Sequence, residues 1–144
     1  MTGLLNLSAF LPYQLSMASN AVSDRIAGVY QDRFGLKIPE WRLLAVLGEG
    51  QPLSQRDLVR ATLMDKVTVS RATAALVERD LVTRVASKSD GRSHLLRMTD
   101  LGKTLYGEIA PVAMAMQAEV FSCLSDTERA ALTDMLARVR EAAG

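Results

Sequence analysis

Ser54-Gln55-Arg56-Asp57-Leu58-Val59-Arg60-Ala61, then Thr62-Leu63-Met64, then Asp65-Lys66-Val67-Thr68-Val69-Ser70-Arg71 is the stretch on which the reading of this chain turns. Ser54 is a good helix N-cap, and Asp57 three residues later gives a start resembling a capping box. The spacing predicts a short helix over Gln55–Ala61 and a tight connection at Thr62-Leu63-Met64. A further helix then begins near Asp65, which can cap it and favours the positive helix end. It runs to about Asp80 on the apolar positions Val69, Ala72 and Leu76. A short helix, a tight turn and a longer helix make a helix-turn-helix unit, although helices pair this way in many folds.

The residues immediately after this unit sharpen the reading. Leu81–Val85 and His94–Met98 are β-prone and flank the turn signal Ser89-Asp90-Gly91. They predict a two-stranded hairpin with a polar, basic tip. A helix able to lie in the major groove, beside a hairpin able to reach the adjacent minor groove, is a winged form of the motif.

With Val69, Ala72 and Leu76 turned inward, Val67, Ser70, Arg71, Ala74 and Glu78 face outward, and Lys66 and Thr68 flank them. Such helices present their N-terminal side chains to base edges. Arg71 can bond guanine O6 and N7 together, worth about 1–3 kcal/mol of discrimination. Val67 and Ala74 can pack on a thymine methyl, and Ser70 and Thr68 can bond a base or a phosphate. Arg92, at the hairpin tip, is placed to enter a narrow, electronegative minor groove. Asp90 either orients it or simply makes a good turn. Arg84, Lys88 and Arg97 suit phosphate contacts, which position without specifying, as do Ser54, Gln55 and Arg56.

Working outward, Leu15, Ala18, Val22, Ile26 and Val29 mark one apolar stripe on a helix over Pro12–Phe34, which Gly35 ends. A second helix, Glu40 to about Leu47, carries Trp41, Leu44 and Leu47, and Gln51-Pro52-Leu53 is a short connector. Beyond the hairpin, Thr99 is placed to cap a long helix from Asp100 to about Cys123, with Leu101, Leu105, Ile109, Val112, Met116 and Val120 as its stripe. Ser125-Asp126-Thr127-Glu128 is a capping box for a last helix, to about Glu141, on Leu132, Met135, Leu136 and Val139. The fold expected is mainly α with a small β-hairpin wing, about six helices, in one domain over 1–144. Residues 40–98 form its winged helix-turn-helix lobe.

Composition agrees. At 144 residues, 49% hydrophobic and 23% charged, the chain can bury a real core. The net charge is only +1, but its distribution is uneven. Ser54–Lys103 holds ten Lys/Arg against six Asp/Glu, a net of +4, and the remainder is −3. A basic module between acidic ends is the footprint of a nucleic-acid-binding element. One cysteine, Cys123, excludes an intrachain disulfide, and one histidine, His94, argues against a zinc site. No apolar run approaches a membrane span, and Met1–Leu11 lacks the basic region of a signal peptide, so a cytoplasmic location is expected. There is no nucleophile–base pair, paired carboxylate site or phosphate-cradling glycine loop, so no enzyme and no cofactor are expected.

With these elements in order, the sequence resembles the MarR family of bacterial regulators (multiple antibiotic resistance regulators) over nearly its whole length, from about Leu15 to Val139. The likeness rests on Leu53-Ser54-Gln55-Arg56-Asp57-Leu58, Asp65-Lys66-Val67-Thr68-Val69-Ser70-Arg71, Leu81-Val82-Thr83-Arg84, Asp90-Gly91-Arg92-Ser93 and Leu96-Arg97-Met98-Thr99-Asp100-Leu101-Gly102, in this order. Two positions depart from the family pattern: Asp80 stands where a glycine is frequent, and Ser93 where a second arginine is. Asp tolerates the left-handed conformation better than most residues, so the turn can survive.

The resemblance implies a homodimer built from 12–34 and 100–141, reading a pseudo-palindromic duplex with half-sites about one helical turn apart. It also implies control by a small, often aromatic anion bound between those helices and the DNA-binding lobe. Tyr13, Met17 and Trp41 are candidates to line such a pocket, with plain core packing the stronger reading of Trp41. Two other readings stand beside a ligand-relieved repressor: a redox sensor acting through Cys123, and a DNA-binding protein without a ligand.

Overall fold

The computed structural model describes residues 3–87 and 94–144. Among them run six α-helices and one antiparallel hairpin: α1 (Leu11–Phe34), α2 (Ile38–Glu49), α3 (Gln55–Thr62), α4 (Lys66–Glu78), β1 (Val82–Ala86), β2 (His94–Met98), α5 (Asp100–Val120) and α6 (Asp126–Ala143). This is the winged-helix arrangement that the spacing predicts. No described helix is long and apolar enough to cross a membrane.

The core is built on the middle of the chain. Leu43, Leu44 and Leu47 of α2, Leu58 of α3, and Val69, Ala72 and Leu76 of α4 are buried together with Leu81, Val82, Leu96 and Met98 of the hairpin. Ala27 and Tyr30 of α1 and Ile109 of α5 extend that core toward the chain ends. Trp41 sits between two rings, with centroids 5.7 Å from Tyr30 and 5.8 Å from Tyr106, and so ties α2 to α1 and α5.

Local chemistry starts α3, α5 and α6 where the sequence says. Ser54 Oγ accepts from the Asp57 amide at 3.1 Å, and the Ser54 amide donates to Asp57 Oδ2 at 3.0 Å. Ser125 and Glu128 repeat this reciprocal pair on α6. Thr99 Oγ1 accepts from the Gly102 amide at 3.0 Å and starts α5. These bonds hold the charged carboxylates of Asp57 and Glu128 below their ordinary pKa, the amide bond from the serine being the largest cause in each.

The ends depart from expectation in instructive ways. α4 stops at Glu78, because Asp80 takes φ 59° and closes the helix. The Leu81 amide donates to Leu76 O at 2.9 Å and the Asp80 amide to Val77 O at 3.0 Å, the two bonds of a Schellman motif. Buried Leu76 and Leu81 supply its apolar contact. Asp80 thus does a glycine's work.

α2 begins two residues early, with Pro39 in its first turn, and runs through Gly48 instead of stopping there. A Cβ on Gly48 would lie 2.5 Å from the Tyr106 ring, so that ring fills the space a side chain would need. The connector is more than a link: Leu53 pairs with Leu96, its amide donating to Leu96 O at 3.1 Å and its carbonyl accepting at 2.7 Å. The long last-but-one helix ends at Val120, and Phe121–Cys123 form a 3-10 turn.

Two stripes bury less than their periodicity suggests. On α1, Leu15 and Ala18 are exposed, Val22, Ile26 and Val29 half-buried, and the buried residues are Ala27 and Tyr30. On α5, Leu101 is exposed and its neighbour Gly102 is buried instead. α6 buries no residue at all.

The α3–α4 turn carries a left-handed residue that no sequence signal marks. Leu63 takes φ 57°, and its amide donates to Val59 O at 2.8 Å. Its side chain is 76% exposed, so little packing offsets the left-handed backbone. Leu63→Gly is expected to raise stability by about 1 kcal/mol, the left-handed penalty less the extra entropy of an unfolded glycine. Urea titration of the two proteins measures the gain.

Candidate nucleic-acid interface

α4 is held by its inner face. Val69, Ala72, Thr73 and Leu76 are buried, and the helix packs on both α2 and α3. Its outer face is therefore fixed. Lys66, Val67, Ser70, Arg71, Ala74 and Glu78 are all exposed, as the wheel predicts. Val67, a β-branched apolar side chain, is 57% exposed. Gln55, Lys66, Val67, Ser70 and Arg71 line one shallow recess, so the start of α3 and the first two turns of α4 share a surface.

The two hydroxyls nearest the helix starts are partly committed. Asp65 caps α4 by accepting from the Thr68 amide at 2.8 Å, and its second oxygen accepts from Thr68 Oγ1 at 2.9 Å. These bonds lower the Asp65 pKa, the Thr68 amide first. Half-buried Thr68 thus spends its hydroxyl proton on its own cap and keeps only acceptor capacity. Ser54 Oγ likewise accepts within its cap but retains a proton to donate. Among the described residues, Ser70 and Arg71 carry no such commitment.

A third cation joins this surface. Arg60, on the last turn of α3, lines a second recess of about 380 Å³ with Gln55, Arg56, Val59 and Lys66. The signal was present in the sequence: Arg60 lies four residues after Arg56, hence on the same helix face.

In the hairpin, the register pairs Arg84 with Leu96 and Thr83 with Arg97. Paired residues share a face, so Arg84 and Arg97, both exposed, project from opposite faces. Lys88, Asp90 and Arg92, the candidate tip residues, lie outside the described residues. The wing is anchored at its base, where Met98 donates its amide to Gln51 Oε1 at 2.8 Å. Arg79 fastens the same lobe to α1 by donating to Gly35 O at 3.2 Å and Phe34 O at 3.1 Å, the carbonyls at the negative end of that helix.

The candidate ligand residues are not brought together. Tyr13 and Met17 are exposed on the first turns of α1, whereas Trp41 packs on Tyr30. Seventeen residues of helix separate Tyr13 from Tyr30, about 25 Å of rise. Cys123 is exposed, its Sγ 3.6 Å from Val120 O. Among the described residues, no group of three His, Cys, Asp or Glu is arranged to hold a metal ion.

Comparison with known proteins bears on this geometry. A sequence profile of the MarR family matches residues 34–93, a stretch that starts at the end of α1, includes α2, α3, α4 and β1, and stops before β2. The HTH-type transcriptional regulator YdgJ of Bacillus subtilis is 28% identical over 81% of this chain and 72% of its own length. The MarR family regulator SPO1453 from Silicibacter pomeroyi DSS-3 superposes with a TM-score of 0.84 at 29% identity, covering 97% of this chain and 99% of that one. BpsR of Bordetella bronchiseptica, whose DNA binding is regulated by 6-hydroxynicotinic acid, gives 0.87 at 25% identity over 96% and 98%. These likenesses span the helices on both sides of the lobe as well as the lobe itself. The chain is thus similar to MarR family transcriptional regulators, in sequence over the lobe and in fold over nearly its whole length.

Proposed function

We propose that this regulator is a cytoplasmic homodimer that represses transcription by reading a pseudo-palindromic operator, and that a small ligand such as an aromatic anion releases it. The observation that carries the reading is the outer face of α4, which displays Lys66, Val67, Ser70 and Arg71 on a helix whose other face is locked in the core. In this reading 40–98 form the DNA-binding lobe. Arg71 reads guanine through a fork of two hydrogen bonds, and Val67 meets a thymine methyl. Ser70 and the acceptor oxygen of Thr68 supply further contacts. Ser54, Gln55, Arg56, Lys66 and Arg84 hold the backbone, with Lys88 and Arg92, oriented by Asp90, at the wing tip.

The dimer is inferred from the surface one protomer leaves uncovered. Leu11, Leu15 and Met17 of α1, and Met135, Leu136 and Val139 of α6, are all exposed. So much apolar surface on helices at the two chain ends calls for a covering partner, and 12–34 with 100–141 of a second copy supply it. The ligand part of the reading rests on likeness to BpsR. Because Tyr13 and Trp41 lie far apart within a protomer, we place the ligand near the Tyr30–Trp41–Tyr106 cluster, where α1, α2 and α5 meet.

Selection of bound fragments from the source genome, followed by footprinting, tests the proposal. The expected result is a protected site with two related half-sites about 10 base pairs apart, or a multiple of that spacing. A single unrepeated site, or protection with no sequence in common among fragments, contradicts it.

A further inference from the structure

Arg56, Arg60 and Lys66 surround one recess of about 380 Å³ that Gln55 and Val59 complete. We propose that this recess seats one phosphodiester group of the DNA backbone, with Arg60 as a positioning residue that supplies affinity without sequence preference. The inference rests on the DNA-binding reading and extends it to a residue outside the expected set.

Three observations support it. Arg56 and Arg60 are four residues apart on α3, so two like charges crowd one helix face, an arrangement that repels unless an anion lies between. No carboxylate lines the recess, and none of the three cations belongs to an ion pair within 4.0 Å among the described residues, where the pairs engage Arg25, Arg129 and Arg138. Asp57 is near enough to feel both arginines, but its oxygen is bound to the Ser54 amide, which is the main cause of its lowered pKa.

The third observation is position. Gln55 and Lys66 line both this recess and the neighbouring one of Val67, Ser70 and Arg71. A duplex whose base edges meet α4 therefore brings its backbone over Arg56 and Arg60, as expected where the first helix of the motif crosses the strand. Half-buried Val59 forms an apolar wall, which strengthens the attraction between the cations and a phosphate.

The test compares the full-length wild type with Arg60→Gln and Arg60→Lys. The probes are a 30-base-pair duplex of random sequence and a duplex selected from a randomised library by the wild type. Affinities are measured between 50 and 200 mM salt. Arg60→Gln is expected to lower the slope of log affinity against log salt by about 0.9 per recess. It should weaken both duplexes alike, about tenfold per recess near 0.1 M salt. Arg60→Lys, which keeps the charge, should restore the slope.

An unchanged slope in Arg60→Gln overturns the proposal, as does selective loss of the preferred duplex, which would make Arg60 a base reader. Stabilisation of the protein by inorganic phosphate, with the duplex slope unchanged, assigns the recess to a free anion and also overturns it. Failure of the underlying reading looks different: the wild type itself then shows no salt-dependent duplex binding.

Discussion

Gly102→Ala should destabilise the protein by about 3 kcal/mol, at the upper end of what one methyl group does in a packed interior. A Cβ at this position would stand 2.0 Å from Leu81 O and 3.0 Å from Leu81 C. The obstacle is backbone and cannot rotate away. Leu81 is itself pinned, since its carbonyl accepts from the Thr99 amide at 3.1 Å and its own amide closes the Schellman motif of α4. Thr99 Oγ1 adds a bond to Asp80 O at 2.6 Å. Relief of the clash must therefore lift the start of α5 away from the entrance to the wing and break the bonds that join them.

The melting temperature should fall by roughly 10 °C for a chain of this size. Gly107→Ala is the contrast within the same helix. A Cβ there meets nothing within 4 Å, so helix propensity should raise stability by about 0.5–1 kcal/mol. Calorimetry of the two variants checks both signs, and a neutral Gly102→Ala would contradict the packing of α5 on Leu81.

Leu136→Asp should separate the proposed dimer and, with it, abolish most of the affinity for the operator. Leu136 is 43% exposed in one protomer and lines, with Phe121 and Leu132, a recess between the end of α5 and α6. Under the proposed assembly this surface is buried by the second copy. A carboxylate there enters an apolar contact twice, once per protomer, at several kcal/mol for each unpaired charge. A protomer that binds alone loses the advantage of two tethered half-site contacts, commonly a factor of 10²–10⁴. Sedimentation should show a monomer at micromolar concentration, with the helical content intact because α6 buries no residue of its own core. A dimer that persists would move the interface elsewhere.

The contrast between these two positions shows what the sequence could reveal. Caps were legible because each is settled within four residues: Ser54 with Asp57, Ser125 with Glu128 and Thr99 with Gly102 all form the bonds their spacing implies. The inner face of α4 was legible because its periodicity and its burial have one cause, the α2–α3 surface beneath it. Gly102 was not, because its burial depends on where the Leu81 carbonyl arrives from across the turn. Nor was the pairing of Leu53 with Leu96, since three residues beside a proline show no strand pattern.

The stripes on α1 and α6 teach a different lesson. Leu15 and Val139 are periodic yet exposed in the single chain. A helical stripe records every surface that covers it, a partner's included, and the sequence does not say whose. In the interface, the outward face of α4 was readable by subtraction from the inward one. Arg60 lies a full turn beyond the capped start of α3, and only its four-residue spacing from Arg56 signalled a shared face. Thr68 is a free hydroxyl as far as the sequence goes, and its bond to Asp65 required the structure.

Under the proposed function the exposed face of α4 reads base sequence, with Arg71 as its most discriminating side chain. The direct test is the affinity of wild type and Arg71→Ala for a selected operator and for single-base variants at each guanine in its half-sites. Wild type should lose about 1–3 kcal/mol at one guanine per half-site. Arg71→Ala should bind the operator and that variant equally while still preferring the unchanged positions. If Arg71→Ala keeps the full wild-type discrimination at every guanine, Arg71 on α4 does not read the bases of DNA.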